Sequence, residues 1–302
     1  MEPTTGPSER SDTQETSISR RTLLKGTAAT AVAATGLAAT SSSAAASSHE
    51  FGILDTRDDP PTTENIPTGV DEVVLFIHGW FGDMGAEDQA EELQESLNNA
   101  GYDEPMVVVK WPATTINYFG AQDGAAEVGA DLAAWLGDYL EDNPDTTVRL
   151  AGHSLGGLAT LETLEAIDGE YVVDSVAPMG AATSNDNVCE GGRLHDGIVS
   201  SAGEVHNVWS ADDGIVGSAY FWGGLGSDGA DCGGWFSGDL PDNYEDVDVT
   251  EDVDSHMGFM GSDLVGQELA DRWDGATDPE NGDDGDGDDG DDDDDGFCWF
   301  FC

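Results

Sequence analysis

Basic residues are what this chain has least of. Nine Lys and Arg stand against 63 Asp and Glu, so its 302 residues carry a formal net charge of -54. No basic patch can be assembled to neutralise phosphates, which excludes nucleic acid as a partner. Apolar runs are short: outside an Ala-rich N-terminal stretch, nothing approaches the ~20 apolar residues of a membrane-spanning helix. Cysteine is limited to Cys189, Cys232, Cys298 and Cys302, and histidine to 6. So few histidines allow a catalytic base to be sought by elimination. No internal repeat is found. An Asp-rich run near the C-terminus lacks the spacing of an ordered calcium loop, and no metal site is expected.

Acidity of this degree usually signals disorder or an interaction tail. Here 38% of the residues are hydrophobic, and periodic segments run through the middle of the chain. The acid therefore belongs mostly to the surface of a folded domain, which is a halophile's composition. A dense carboxylate surface repels itself at low ionic strength and is screened where the Debye length falls to about 3 Å at 1 M. A requirement for high salt, and a halophilic, haloarchaeal source, are the expectations.

Both ends differ from the middle. Ser19-Arg20-Arg21-Thr22-Leu23-Leu24-Lys25 precedes a run rich in Ala, Thr and Gly that ends in Ala44-Ala45-Ala46. This resembles a twin-arginine export signal cleaved after Ala46, which implies a secreted protein exported already folded. Residues 1–46 are thus read as signal and residues 47–72 as a polar lead-in. Residues 73–273 are read as the catalytic domain, residues 274–296 as a disordered Asp/Gly linker, and residues 297–302 as an aromatic and cysteine tag. The tag, Phe297-Cys298-Trp299-Phe300-Phe301-Cys302, suits contact with a cell surface or with another chain. Export permits disulfides; four cysteines allow three connectivities, and a Cys189–Cys232 bridge tying two loops of the catalytic half is favoured.

The domain is organised around Val148-Arg149-Leu150-Ala151-Gly152-His153-Ser154-Leu155-Gly156-Gly157-Leu158-Ala159. A β-branched run, a Gly-x-Ser-x-Gly turn and a helical pattern follow one another. Such a turn forces Ser154 into a strained conformation and lifts its hydroxyl above the sheet edge. Further strands are expected near 73–77, 106–109, 171–177, 204–210 and 247–249. Helices are expected near 86–99, 123–140, 155–167 and 257–273. Strand and helix alternate, which predicts an α/β fold with a mostly parallel central sheet and helices on both faces.

A serine hydroxyl needs a base, and the base an orienting acid. The order along such a chain is Ser, then Asp or Glu, then His, each in a loop after a strand. Of the six histidines, His256 alone follows the candidate acids and sits in such a loop, so it is the expected base. For the acid, Asp213 and Asp212 compete. Asp213 is preferred because Ile215 and Val216 stand behind it as apolar anchors; Asp186 is a distant third. Negative charge developing on the substrate oxygen calls for backbone donors, and the N–H groups of Leu155 and Trp80 are the candidates.

Phe76-Ile77-His78-Gly79-Trp80, Gly152-His153-Ser154-Leu155-Gly156-Gly157, Asp213-Gly214-Ile215-Val216 and Ser255-His256 together resemble the α/β-hydrolase superfamily, in particular its lipase and esterase branch. The resemblance covers roughly residues 73–273. It implies the α/β-hydrolase fold, a Ser-Asp-His triad and no cofactor. There is little room for a separate lid domain, so any lid must lie in residues 183–200 or 217–242. The expected activity is hydrolysis of carboxylic esters or lipids, in a pocket lined by aromatics such as Trp80, Phe81, Phe119, Phe221 and Trp222. Acyl transfer, or thioesterase or amidase action, would use the same triad. A surface-attached binding protein on a hydrolase scaffold is the reading from another class.

Overall fold

The computed structural model describes residues 51–80, 82, 85–113, 118–220, 223–233 and 238–276. The expected export signal, linker and C-terminal tag lie outside the described residues. Eight strands form one sheet in the order β2-β1-β4-β3-β5-β6-β7-β8. They are β1 (Gly52–Asp55), β2 (Thr62–Glu64), β3 (Glu72–Ile77), β4 (Met106–Lys110), β5 (Thr147–His153), β6 (Val173–Met179), β7 (Ala202–Trp209) and β8 (Tyr244–Asp248). Every neighbouring pair is parallel except β1 with β2.

Helices cover both faces, and strand alternation decides which residue meets which layer. On β3, Val73, Leu75 and Ile77 pack into one cluster with Leu132 and Leu136 of α2 (Tyr118–Asp142) and Leu158 and Leu161 of α3 (Leu155–Ile167). Val74 and Phe76 point the other way, into a cluster with Leu93 and Leu97 of α1 (Ala86–Asn99) and Leu269 and Trp273 of α7 (Asp263–Ala276). This is why residues 73–77 read as one unbroken apolar run: a strand buried on both faces has no polar side.

The structure differs from the sequence reading in three places. Residues 52–64, expected as lead-in, contribute β1 and β2, and β1 pairs in parallel with β4. Their polar, proline-interrupted pattern is that of a sheet edge, where β2 is fully exposed. The last helix starts at Asp263 rather than near Met257, because Ser262 caps it: its hydroxyl accepts from the N–H of Val265 at 3.1 Å. Between β6 and β8 lie three short helices, α4 (His195–Ser201), α5 (Gly214–Ala219) and α6 (Leu225–Asp228). Segments read as long loops are therefore partly ordered.

Candidate active site

The turn after β5 sets the position of the serine. Ser154 has φ 60° and ψ -118°, a conformation that side-chain-bearing residues rarely hold. Two close backbone approaches frame it. A Cβ on Gly156 would lie 2.0 Å from the carbonyl oxygen of Ile77, and one on Gly152 would lie 2.3 Å from the carbonyl oxygen of Gly156. Glycine at both positions lets strand and helix close around the serine. The Ser154 N–H donates to the carbonyl of Met179 at 2.9 Å, and the Ser154 carbonyl accepts from Ala182 at 3.0 Å. The turn is thus also tied to the end of β6.

His256 reaches Ser154 from the loop after β8. Its Nε2 lies 2.9 Å from Ser154 Oγ and its Nδ1 lies 2.7 Å from Asp213 Oδ2. With the Asp213 carboxylate as acceptor, Nδ1–H donates to it. That tautomer leaves Nε2 as a lone pair facing the serine hydroxyl. Asp213 is buried, and its other oxygen accepts from the N–H groups of Ile215 at 3.1 Å and Val216 at 3.0 Å. It caps α5 and orients His256 at once, one carboxylate oxygen for each task. Asp212 is exposed, and Asp186 accepts from Ser184 at 2.7 Å in its own loop. Val216 is buried as an anchor behind Asp213. Ile215 is not an anchor: it is 62% exposed.

Two histidines set aside as candidate bases hold the surrounding backbone. His78 is fully buried. Its Nε2 accepts from the N–H of Trp111 at 3.4 Å, so Nδ1–H donates to the carbonyl of Gly79 at 2.9 Å. That carbonyl also accepts from Gly82 at 3.0 Å. In a trans peptide the N–H points opposite to the carbonyl, so the Trp80 N–H is turned to the other side. Gly79 itself passes close to the serine; a Cβ there would lie 2.8 Å from Ser154 Cβ. Leu155 begins α3, and its N–H has no partner within the helix by construction. His153, expected to point away from the serine's task, turns toward His256. Its Nε2–H donates to the backbone carbonyl of His256 at 2.7 Å, and the two rings lie 4.7 Å apart. Burial, and then the neighbouring His256, pull the His153 pKa down to about 3, so its ring is neutral.

A cavity of about 520 Å³ opens over this constellation. Ser154, His153 and His256 line it, together with Trp80, Ile215, Val216, Ala219 and Met257. Of the aromatics expected at the pocket, Trp80 is there. Phe81, Phe221 and Trp222 lie outside the described residues, as does the side chain of Phe119. The aliphatic lining was missed, although Ile215, Val216 and Met257 stand within three residues of Asp213 or His256. Among the described residues, no group of three or more His, Cys, Asp or Glu is arranged to hold a metal ion.

The disulfide Cys189–Cys232, with Cα atoms 5.4 Å apart, joins the loop after Ala182 to the loop after α6. Backbone bonds reinforce the join: Glu190 N–H donates to Asp239 at 2.9 Å and Gly238 N–H to Glu190 at 3.1 Å. Cys298 and Cys302 lie outside the described residues.

Residues 62–180 match the family model described as an alpha/beta hydrolase of unknown function (DUF900). That span ends before Asp213 and His256. No curated protein matches the chain. Solved structures with a similar course include Est1E from Butyrivibrio proteoclasticus with bound ferulic acid (14% identity, 68% of this chain and 89% of that one, TM-score 0.43). The esterase domain of a Rhodothermus marinus protein is similar (19%, 70% and 92%, TM-score 0.39). So is the ydeN gene product of B. subtilis (17%, 67% and 99%, TM-score 0.42).

Proposed function

From a chain with the α/β-hydrolase fold and a serine at its strand-to-helix turn, we infer a serine hydrolase that cleaves carboxylic esters. The observation that carries this reading is the hydrogen-bonded chain Ser154–His256–Asp213 at the floor of an apolar cavity. In the inferred reaction Ser154 Oγ attacks the ester carbonyl carbon while its proton passes to His256 Nε2. Asp213 holds Nδ1–H and stabilises the imidazolium. The carbonyl oxygen becomes an oxyanion facing the N–H groups of Leu155 and Trp80. Collapse expels the alcohol, which takes the proton from Nε2 and leaves an acyl-serine. Water then attacks the acyl carbon, giving its proton to Nε2. The second collapse returns that proton to Ser154 and releases the acid. Each oxyanion donor of this kind is worth about 3 kcal/mol of barrier.

The twin-arginine sequence supports export in the folded state, and the charge of -54 supports a need for high salt. The test is a chromogenic ester series of increasing acyl length in concentrated KCl, comparing wild type with Ser154→Ala. Hydrolysis by wild type and a loss of roughly 10⁴-fold or more in the variant are expected. Product ester formed on a supplied alcohol instead of free acid would redirect the reading to acyl transfer. Full activity and folding in dilute buffer would end the salt requirement.

A further inference from the structure

The positive charges of this chain can all be placed in its sequence. Arg10, Arg20, Arg21 and Lys25 precede the described residues, and only five more follow. Each of those five is paired with a carboxylate. Arg57 pairs with Asp55, and Lys110 with Glu87 at 2.7 Å. Arg149 pairs with Glu72, Arg193 with Glu162 at 2.5 Å, and Arg272 with Glu245 at 3.0 Å. None of them lines the cavity over Ser154, and no Asp or Glu among the described residues lines it either. Asp213 lies behind His256, with its charge directed at the site from below.

At the mouth of the same cavity stand Ile215, 62% exposed, and Met257, 57% exposed. Large apolar side chains this open to water gain from an apolar group that covers them. Their backbones are fixed by the candidate machinery itself. The Ile215 N–H donates to Asp213 Oδ1, and Met257 follows His256 directly. An anionic group entering between them would shed water against apolar side chains, meet no Lys or Arg of the described residues and feel Asp213. An uncharged apolar group would cover both lips at a gain.

We propose that Ile215 and Met257 are specificity-determining residues that admit esters uncharged around the scissile bond and reject those with a carboxylate close to it, such as monoesters of dicarboxylic acids. The proposal rests on the hydrolase reading above. Its test uses two substrates that differ only in charge: para-nitrophenyl methyl adipate, and para-nitrophenyl hydrogen adipate, a carboxylate at neutral pH. Release of nitrophenol is followed at two concentrations of KCl, both high enough to keep the protein folded by circular dichroism. The expected result is a kcat/KM about tenfold or more higher for the neutral ester, and equally so at both salt concentrations, because a local desolvation is not screened. Ile215→Arg and Met257→Arg should each cut that preference by about tenfold by raising kcat/KM for the anion. Ile215→Gln, polar without charge, should lower turnover of the neutral ester and leave the anion unimproved. Equal kcat/KM values in the wild type overturn the proposal, as do arginine variants that fold and leave the preference unchanged. A preference that vanishes at the higher salt assigns discrimination to the general surface charge and overturns it too. Turnover of neither ester by wild type removes the hydrolase reading and this inference with it.

Discussion

Two polar networks built from similar parts lie at opposite ends of β5. Where β3 and β5 begin, Glu72, Arg149 and the Tyr102 hydroxyl form a buried cluster. Both Arg149 Nε and Tyr102 donate to the same Glu72 oxygen, and Arg149 Nη2 donates to the carbonyl of Trp273 at 2.8 Å. Where β3 and β5 end, a carboxylate, a nitrogen base and a hydroxyl meet again, as Asp213, His256 and Ser154. Arg149 and Ser154 are five residues apart, about 17 Å along an extended strand. The first network is inert for two reasons. Arginine keeps its proton at any accessible pH, and burial, followed by its hydrogen bond to Glu72, pushes the Tyr102 phenol far above its usual range. Trp273 closes over Arg149, its ring 5.6 Å from the guanidinium. In the second, the hydroxyl faces a nitrogen with a free lone pair, and a cavity of about 520 Å³ opens over it. On the proposed reading, reactivity comes from an available proton acceptor and from access, not from the list of groups.

Exchanging the readouts at the two ends is the strongest way to break this comparison. Ser154→Ala or His256→Ala should lower kcat by roughly 10⁴-fold or more, with a thermal midpoint within a few degrees of wild type. Arg149→Met should do the reverse. It leaves Glu72 buried without its cation, so unfolding in concentrated KCl should show a loss of about 3–5 kcal/mol, while the folded fraction keeps its kcat. The double variant Glu72→Leu/Arg149→Met should lose less than Arg149→Met alone, since no unpaired charge remains. A drop in kcat in folded Arg149→Met would mean that the two ends are coupled through β5.

These differences decide what could be read before any fold was known. The turn at Ser154 was legible because sterics require glycine at 152 and 156, and chain order was enough to single out His256. Alternation within β3 is invisible in sequence, because Val73 to Ile77 are apolar on both faces; only the two helical layers separate them. Asp213 could be preferred but not separated from Asp212, since the choice depends on which carboxylate the α5 turn buries. The roles of His78 and His153 were illegible for a different reason. Each acts through a backbone carbonyl, of Gly79 and of His256, and no side-chain pattern encodes that. Arg149 sits inside a run of apolar residues, and such a position is itself a signal: a buried arginine needs a carboxylate, and Glu72 opens the neighbouring strand.

The disulfide lies at the Ser154 end alone. Cys189 and Cys232 are 43 residues apart and tie the segment after Ala182, a cavity residue, to the loop beyond α6. Cys189→Ala/Cys232→Ala should lose about 2–4 kcal/mol of stability in equilibrium unfolding. If the bridge also holds the cavity wall, KM should rise in the folded variant while kcat changes little. Unchanged stability would show that the backbone bonds between Glu190, Gly238 and Asp239 suffice.

The finest distinction between the two ends is in their response to acid. Arg149 does not titrate, whereas His153 is held neutral by burial with its pKa near 3, against 6.5 for an ordinary histidine. Between those two values the unfolded chain binds a proton that the folded chain refuses. The stability this contributes is complete above pH 6.5 and is lost as pH falls through that window, with a slope of at most about 1.4 kcal/mol per pH unit. His206 adds to the loss with the same sign. Burial lowers its pKa too, while Glu204 and Glu245 oppose the shift. His153→Gln keeps an N–H for the His256 carbonyl but cannot take up a proton. Unfolding of the two proteins at fixed KCl between pH 6.5 and pH 4 should therefore give a shallower slope for the variant, with kcat near neutral pH reduced only a few-fold. Identical slopes would mean that the His153 ring is protonated in the folded protein. In that case the ring lying 4.7 Å from His256 would carry a charge beside the base.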